Sequence, residues 1–295
     1  MSKRPLIIAF FIIITAYLGN GIYDSKMKLK EGFFLDHNYE MTVEGGFFFE
    51  LYFVDNYSTE NPVVRIELPE LEYMNSFTHA QHHGQYGKQS MYSFTFDSSR
   101  YGSEFWESLI GKEINEVTVY YAGGKSSILP IGSIRFLEHD SLYHEAILNE
   151  NSPFQFNYSS SSNGAGVQAV DAQEALTLSA GKPGQAIPSI PSFCYKLRVD
   201  HATPNSKRPR EYMNTACNEP SFPFHLEQGD RLVLEYSFSN QAEEDEVILY
   251  NFQLHLEGTR ENGDPLRYPF AHIRSVIPSA ESIKSLIKQK RSEAS

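Results

Sequence analysis

The chain has 295 residues, a formal net charge of −12 and only two cysteines. The acidic balance argues against nucleic acid as a partner, because phosphate binding needs a concentrated positive field. Two cysteines exclude both a disulfide-dense scaffold and a cysteine-ligated metal domain. Aromatic residues make up 14% of the chain, which favours strands because Phe and Tyr pack well on a half-buried pleated surface.

A hydrophobic segment opens the chain. Lys3 and Arg4 precede the apolar run Leu6–Leu18, and no further charge occurs before Asp24. Such a pattern indicates a membrane segment over residues 1–25, which is either an uncleaved signal anchor or a cleaved secretory signal. We favour the anchor and predict a transmembrane helix. The basic start places the N-terminus in the cytoplasm and the body outside it.

Residues 36–140 are predicted to form a first β-sandwich domain. Apolar and polar side chains alternate along residues 47–54, as expected of a half-buried strand. The paired glycines in Ala122-Gly123-Gly124-Lys125 are typical of a tight hairpin turn between two more strands. A short helical turn is expected over Glu104–Leu109, and Gly111 would close it.

Three histidines lie close together before the candidate strand that begins at Met91. Neutral imidazoles at His79, His82 and His83 could share a transition metal if further ligands came from elsewhere in the fold. The alternative is a solvated loop, because no Cys, Asp or Glu flanks them. With a metal bound, this loop would indicate an exported metal-dependent enzyme or hydrolase. No organic cofactor is predicted.

Residues 141–192 are predicted to be a junction that partly enters a second domain. Its Ser159–Gly166 stretch has the composition of a flexible linker. The string at residues 164–169 matches the dinucleotide fingerprint G-x-G-x-x-A, but the serines that precede it replace the buried strand that the fingerprint requires. We therefore interpret this match as a coincidence.

Residues 193–276 are predicted to form a second β-sandwich domain. Its clearest strand covers residues 248–257, with apolar side chains on one face and polar ones on the other. The two domains could be distant copies, since a glycine turn precedes both the strand at Phe47 and the strand at Arg231. A shared β-sandwich pattern without common ancestry would explain the same similarity.

The second domain carries two further candidate features. Cys194 is predicted to face outward from its strand, which a disulfide to Cys217 would explain if the body is exported. Two unrelated thiols are the alternative. The loop that contains Cys217 also holds Lys207, Arg208 and Arg210, whose positive charge could meet an anionic surface partner such as lipid headgroups or a wall polymer. A solvated loop is the simpler interpretation.

Residues 277–295 are predicted to form a basic helical tail. Ser279 can cap a helix whose apolar residues are Ile283, Leu286 and Ile287. Docking on the second domain is the preferred interpretation, and a membrane-surface helix is the alternative, although three apolar residues bury little area.

The complete sequence predicts a mainly β protein, with an N-terminal transmembrane helix, two immunoglobulin-like β-sandwich domains and a short C-terminal helix. The expected function is non-catalytic binding or scaffolding at the cell surface. The protein would be a single-pass membrane protein with an extracytoplasmic body, and no catalytic residue is predicted.

Overall fold

The computed structural model describes a mainly β protein with a helix near each end. It describes residues 4–43, 48–57, 61–68, 80–98, 101–138, 152–162, 165–184, 190, 193–201, 220–238, 247–275 and 277–293, leaving aside the side chains of residues 4–9, 11 and 162.

Helix α1 covers Arg4–Met27. Consecutive apolar side chains such as Ile12 and Ile13 are about two thirds exposed, at 63% and 66%, so this helix does not bury one face against the body. Within the described part of the chain, no helix is both long enough and apolar enough to cross a membrane.

In the residues that the structure describes, the first body has eight strands in two sheets. One sheet has the order β1-β3-β6-β5 and the other β2-β8-β7-β4. Aromatic and branched side chains from both sheets share one core, and Phe49, Phe53, Ile134 and Phe136 are fully buried in it. The bounds are β1 Phe33–Phe34, β2 Asp36–Thr42, β3 Phe48–Asn56, β4 Val63–Glu67, β5 Ala80–Tyr86, β6 Gln89–Asp97, α2 Ser103–Glu107, β7 Glu113–Tyr121 and β8 Ser126–Leu137.

Local sequence explains most of these elements. The hairpin between β7 and β8 turns at Gly124, whose φ of 78° is readily adopted only by glycine. The predicted histidine loop is different, because residues 80–86 form strand β5 at the edge of the first sheet. Its Gln, His and Gly residues lack strand propensity, and pairing with β6 supplies the order instead.

The second body also contains eight strands. One sheet has the order β12-β14-β10-β9. In the other sheet, β15 pairs with both β16 and β11, and β11 also pairs with β13. Strand β9 includes the serines predicted to be a flexible linker, and it pairs along its length with β10. The bounds are β9 Phe154–Ser162, β10 Ala165–Ala172, β11 Leu176–Pro183, β12 Phe193–Asp200, β13 Phe224–Leu226, β14 Arg231–Phe238, β15 Ile248–Arg260 and β16 Pro265–Arg274.

The two bodies repeat one strand arrangement. Immunoglobulin constant-type sandwiches place strands A-B-E-D opposite C-F-G. In the first body, the letters A to G belong in chain order to β1 and β2 together, then to β3, β4, β5, β6, β7 and β8. In the second body, the same letters belong to β9, β10, β11, β12, β14, β15 and β16. The two glycine turns suggested that the strands at Phe47 and Arg231 are equivalent. That detail was wrong, because β3 occupies position B and β14 occupies position E.

Strand β15 joins the two bodies into one continuous sheet. Its residues Ile248–Asn251 pair in parallel with Asp36–Tyr39 of β2, and its later residues pair with β11. The side chains of Val247 and Leu249 belong to the core of the first body. The bodies therefore share a strand and are not joined by a linker alone.

Helix α3 covers Ala280–Glu293. The hydroxyl of Ser279 accepts a hydrogen bond from the backbone N–H of Ser282 at 3.1 Å, as a helix cap. Ile283 and Ile287 are buried in the core of the first body, so the prediction that this helix docks on the second domain was wrong. Sequence shows which face of a helix is apolar, but it does not show which partner covers that face.

Candidate functional site

A polar network lies on the face of the first sheet that turns toward the second body. The Glu50 carboxylate accepts hydrogen bonds from the Tyr52 hydroxyl at 2.9 Å and from the Ser93 hydroxyl at 3.3 Å. His83 Nε2 lies 2.7 Å from the Ser93 oxygen, and its ring lies 5.2 Å from the Tyr52 ring. Paired strands β3, β6 and β5 bring these four side chains together.

The proton positions in this network decide what it can do chemically. Ser93 has one hydroxyl proton, and it goes to Glu50 in this arrangement. His83 Nε2 must then be the protonated nitrogen and donate to Ser93, so it cannot act as a base toward that hydroxyl. Ser93 is also completely buried, with 0% exposure. In this arrangement the network holds the Glu50 carboxylate in place.

A cleft lies beside this network, at the contact between the two bodies. The first body contributes Tyr39, Glu50 and Tyr52, and the second contributes Tyr250, Asn251 and Arg274. The space open to water-sized molecules is about 40 Å³, which suits a few waters or a small ion and not a metabolite. The Arg274 guanidinium stacks 4.4 Å from the centre of the Phe48 ring, which holds it at the rim.

The electrostatics of the cleft keep the hydroxyl groups of Tyr39 and Tyr52 protonated. Burial raises the pKa of both Tyr39 and Tyr52, and the nearby Glu50 carboxylate raises it further. Arg274 opposes this change without reversing it. The Tyr39 hydroxyl donates to the Glu50 backbone carbonyl at 3.1 Å. Both hydroxyl groups therefore act as hydrogen-bond donors at neutral pH.

Behind the cleft, the buried His37 joins strands of the two sheets of the first body. His37 Nε2 accepts a hydrogen bond from the Tyr52 backbone N–H at 3.1 Å, and its Nδ1 lies 2.9 Å from the Ile131 carbonyl, to which it donates. In the second body, His272 Nε2 lies 2.5 Å from Asn251 Oδ1. Burial lowers the pKa of His37 to about 4, so its imidazole is neutral at physiological pH. The atoms around His272 and the nearby Arg274 also lower the pKa of that imidazole, but its side chain stays exposed to solvent.

The predicted metal ligands do not converge among the described residues. The ring of His82 lies 5.5 Å from Tyr92, whereas His83 contacts Ser93 and Tyr52. His79 lies outside the described residues. In the parts of the chain that the structure describes, no cluster of three or more His, Cys, Asp or Glu side chains could hold a metal ion.

The other predicted residues are only partly described. Cys194 lies on β12 opposite Ser237 of β14, and it is not a free thiol. Its strand neighbours Phe193 and Tyr195 pack against the core of the second body, so Cys194 lies on the other face of the sheet. Cys217, Lys207, Arg208 and Arg210 lie outside the described residues. The disulfide and the anionic contact stay predictions.

Sequence reasoning did not find the cleft. Glu50 and Tyr52 were recognised only as the polar side of a strand, Asn251 only as an ordinary strand residue, and Arg274 not at all. Their proximity depends on the parallel pairing of β2 with β15, across more than 200 residues of sequence. The unusual mixture of Glu, Tyr and Asn on strand faces was the only local signal.

Comparison with known proteins gives little further information. No protein-family model matches the chain, and no curated protein matches it. A solved protein of unknown function from Porphyromonas gingivalis W83 is 8% identical, and the alignment covers 85% of this chain and 97% of that one, with a TM-score of 0.23. The titin domains Z1Z2 in complex with telethonin are 10% identical, with coverage of 85% and 99% and a TM-score of 0.20. Neither match supports an inference about this chain.

Proposed function

We propose that this protein is tethered to a membrane by α1 and holds its fused two-sandwich body outside the cytoplasm, in a non-catalytic binding or scaffolding role. The observation that carries the proposal is the exposure of α1. Large apolar side chains from Phe10 to Tyr23 are exposed on successive positions. A helix that is apolar on all sides is favourable only in an apolar environment. The sequence extends the apolar run toward Leu6, which brings it close to the length of a membrane span.

The base of α1 is fixed to the body by several contacts. Asp24 forms ion pairs with Lys28 at 3.0 Å and with Lys88 at 2.7 Å. The Gln89 side chain donates to the Met27 carbonyl at 2.7 Å, and Arg291 of α3 donates to the same carbonyl at 3.3 Å. Exposed ion pairs contribute little individually. Together with the hydrogen bonds, however, these contacts define the direction in which the helix leaves the body.

The shared β15 strand supports a scaffolding role. A pair of sandwiches joined through one sheet keeps its loops at fixed separations, and loops on a rigid framework are common recognition sites. The segment between β12 and β13 contains Lys207, Arg208 and Arg210, and it is our candidate contact for an anionic surface partner. Lys3 and Arg4 favour a cytoplasmic N-terminus and therefore an extracytoplasmic body.

The test replaces Ile12 and Ile13 with lysine in the full-length protein. Two charges near the middle of a membrane helix are costly to insert, so most of the protein should move from the carbonate-washed membrane fraction to the soluble fraction. Protease added to intact cells or spheroplasts should digest the wild-type body.

A matched control replaces Ile128 and Phe156 with lysine, because these side chains of the body are equally exposed, at 61% and 60%. This control should stay with the membrane. The tether is refuted if the wild type is soluble, or if both double variants leave the membrane equally. Protection of the body from protease until the cells are lysed would refute the orientation.

A further inference from the structure

A buried carboxylate lies at one end of the first sandwich. Asp55, near the end of β3, points to the same face of its sheet as Leu51 and Phe53, which are buried in the first core. Its side chain accepts a hydrogen bond from the backbone N–H of Asn56 at 2.7 Å. It is only 7% exposed, and it forms no ion pair with a described residue. An ionised carboxylate buried without a positive partner is unfavourable.

A second carboxylate reaches the same end of the sandwich from the segment before β1. The hydroxyl of Ser127, near the start of β8 in the other sheet, donates to Glu31 Oε1 at 2.5 Å. Burial raises the pKa of Asp55, and the Glu31 carboxylate raises it further. Burial also raises the pKa of Tyr121, to about 12, and both carboxylates contribute to that rise. Glu31 and Asp55 therefore lie close to each other and to the Tyr121 hydroxyl.

A buried hydroxyl group at this position lacks a partner. Ser90 of β6 lies directly opposite Asp55 in the antiparallel ladder, so both side chains point to the same side of the sheet. Ser90 is completely buried, and its Oγ has no hydrogen-bond partner among the described residues. Buried polar atoms in proteins are nearly always satisfied, by water or by an ion where no protein group serves.

We infer that Glu31 and Asp55 bind a calcium ion, with the Ser90 hydroxyl as a further oxygen ligand. Calcium takes carboxylate and neutral oxygen ligands in flexible geometry, and water completes its shell. The two carboxylates match its double charge. The Glu31 side chain is 40% exposed, so the ion can enter and keep its waters on that side. The site combines two carboxylates with a hydroxyl, so it differs from the larger clusters of His, Cys, Asp or Glu that are absent from the described residues.

The protein's own cations do not replace the ion. Lys125 Nζ lies 3.9 Å from Glu31 Oε1, but the lysine side chain is 74% exposed, and such pairs contribute little. The net charge of −12 also attracts cations to the protein. Because the site has few charged ligands and is open on one side, we expect a dissociation constant of roughly 0.1 to 1 mM, as in extracellular calcium modules.

The test measures thermal unfolding of the full-length protein in detergent after removal of calcium with a chelator. In roughly 10 mM CaCl2 the melting temperature should exceed that in NaCl of equal ionic strength by about 3 °C. Asp55→Asn and Glu31→Gln each remove a charged ligand and should abolish this rise. Without calcium, Asp55→Asn should melt no lower than the wild type, because it removes an unpaired buried charge and retains the acceptor for the Asn56 N–H.

The matched control is Glu113→Gln. Glu113 also accepts a hydrogen bond from a serine hydroxyl of β8, that of Ser133, and its side chain is 45% exposed. This variant changes the net charge by the same amount and should keep the full calcium response.

A second measurement does not depend on stability. Terbium(III) occupies calcium sites and emits light when a nearby tyrosine is excited, so the proximity of Tyr121 should give a signal that calcium displaces. The signal should be lost in Asp55→Asn and retained in Glu113→Gln. The inference is overturned if calcium and sodium give the wild type equal melting temperatures, if Asp55→Asn keeps both responses, or if Glu113→Gln loses them as fully as Asp55→Asn does.

Discussion

His37 shows how one buried side chain connects the two sheets of the first body. The chain leaves the first sheet after β1 and enters the second at β2, so the backbone near Leu35 changes partners. The His37 imidazole lies at this point and links the Tyr52 N–H of one sheet to the Ile131 carbonyl of the other. A neutral ring with the proton on Nδ1 satisfies both groups.

We expect the stability of the protein to fall in mild acid. The folded-state pKa of the buried His37 is about 4, below the ordinary value of about 6.5 for an unfolded chain. Between these values the unfolded chain binds more protons, so the free energy of unfolding decreases as the pH falls from about 6.5 to 4. For His37 the loss should reach about 3 kcal/mol at pH 4. Urea unfolding at several pH values measures it.

A variant separates the contribution of one histidine from that of other groups. His37→Gln retains a donor for the Ile131 carbonyl and an acceptor for the Tyr52 N–H but does not titrate, so its unfolding free energy should depend less steeply on pH than that of the wild type. His82→Gln, at an exposed strand position, is the matched control. Equal pH dependence in the wild type and in His37→Gln would contradict the assignment.

At the scale of single elements, α3 is the element whose contacts most need a direct test. Ile283 and Ile287 are buried in the first core, at 0% and 1% exposure. Their replacement by alanine should lower the free energy of unfolding by about 2 to 5 kcal/mol each, because each leaves a cavity. Chemical denaturation provides the measurement.

The matched controls are Lys284→Ala and Lys288→Ala, on the exposed side of the same helix. These should change stability by less than about 0.5 kcal/mol. If the isoleucine and lysine variants have the same effect, α3 does not dock as described. If the isoleucine variants alter only the unfolding of the second body, the sequence-based placement of the helix would be restored.

Sequence patterns predicted elements well where one face of a strand is buried. The alternation in residues 248–257 and the glycines at 123–124 were sufficient to predict β15 and the hairpin between β7 and β8. Only the first part of β9, Phe154–Tyr158, was predicted as a strand, because the serines that follow carry no apolar alternation and their order comes from pairing with β10. The cleft could not be predicted, because the parallel contact between β2 and β15 leaves no local pattern in either strand.

At the scale of the whole molecule, the shared strand should make the two bodies unfold together. Trp106 is the only tryptophan and packs against the first core, so its fluorescence reports on the first body, whereas far-ultraviolet circular dichroism reports on strands of both. Because β15 contributes side chains to both cores, the two probes should give one coincident denaturation curve.

Val247→Asp combined with Leu249→Asp should separate the curves. Leu249 of β15 and Val247, which directly precedes the strand, lie in the first core, and burying two unpaired charges there is strongly unfavourable. The fluorescence midpoint should then fall below the main change in circular dichroism. Thr259→Asp, at the exposed far end of the strand, should keep one transition. Separate transitions in the wild type would show that the bodies are independent despite the shared strand.

The position of α3 also determines the order in which the protein can be completed during its synthesis. Domains generally fold as they emerge, with the N-terminal one first. Here the first sandwich lacks Ile283 and Ile287 until the second sandwich has been translated, and it lacks the β15 contact until the second sandwich has largely been made. The first body therefore begins to fold earlier than the second but is completed after it. Until then, the nascent chain exposes an apolar gap in the first body.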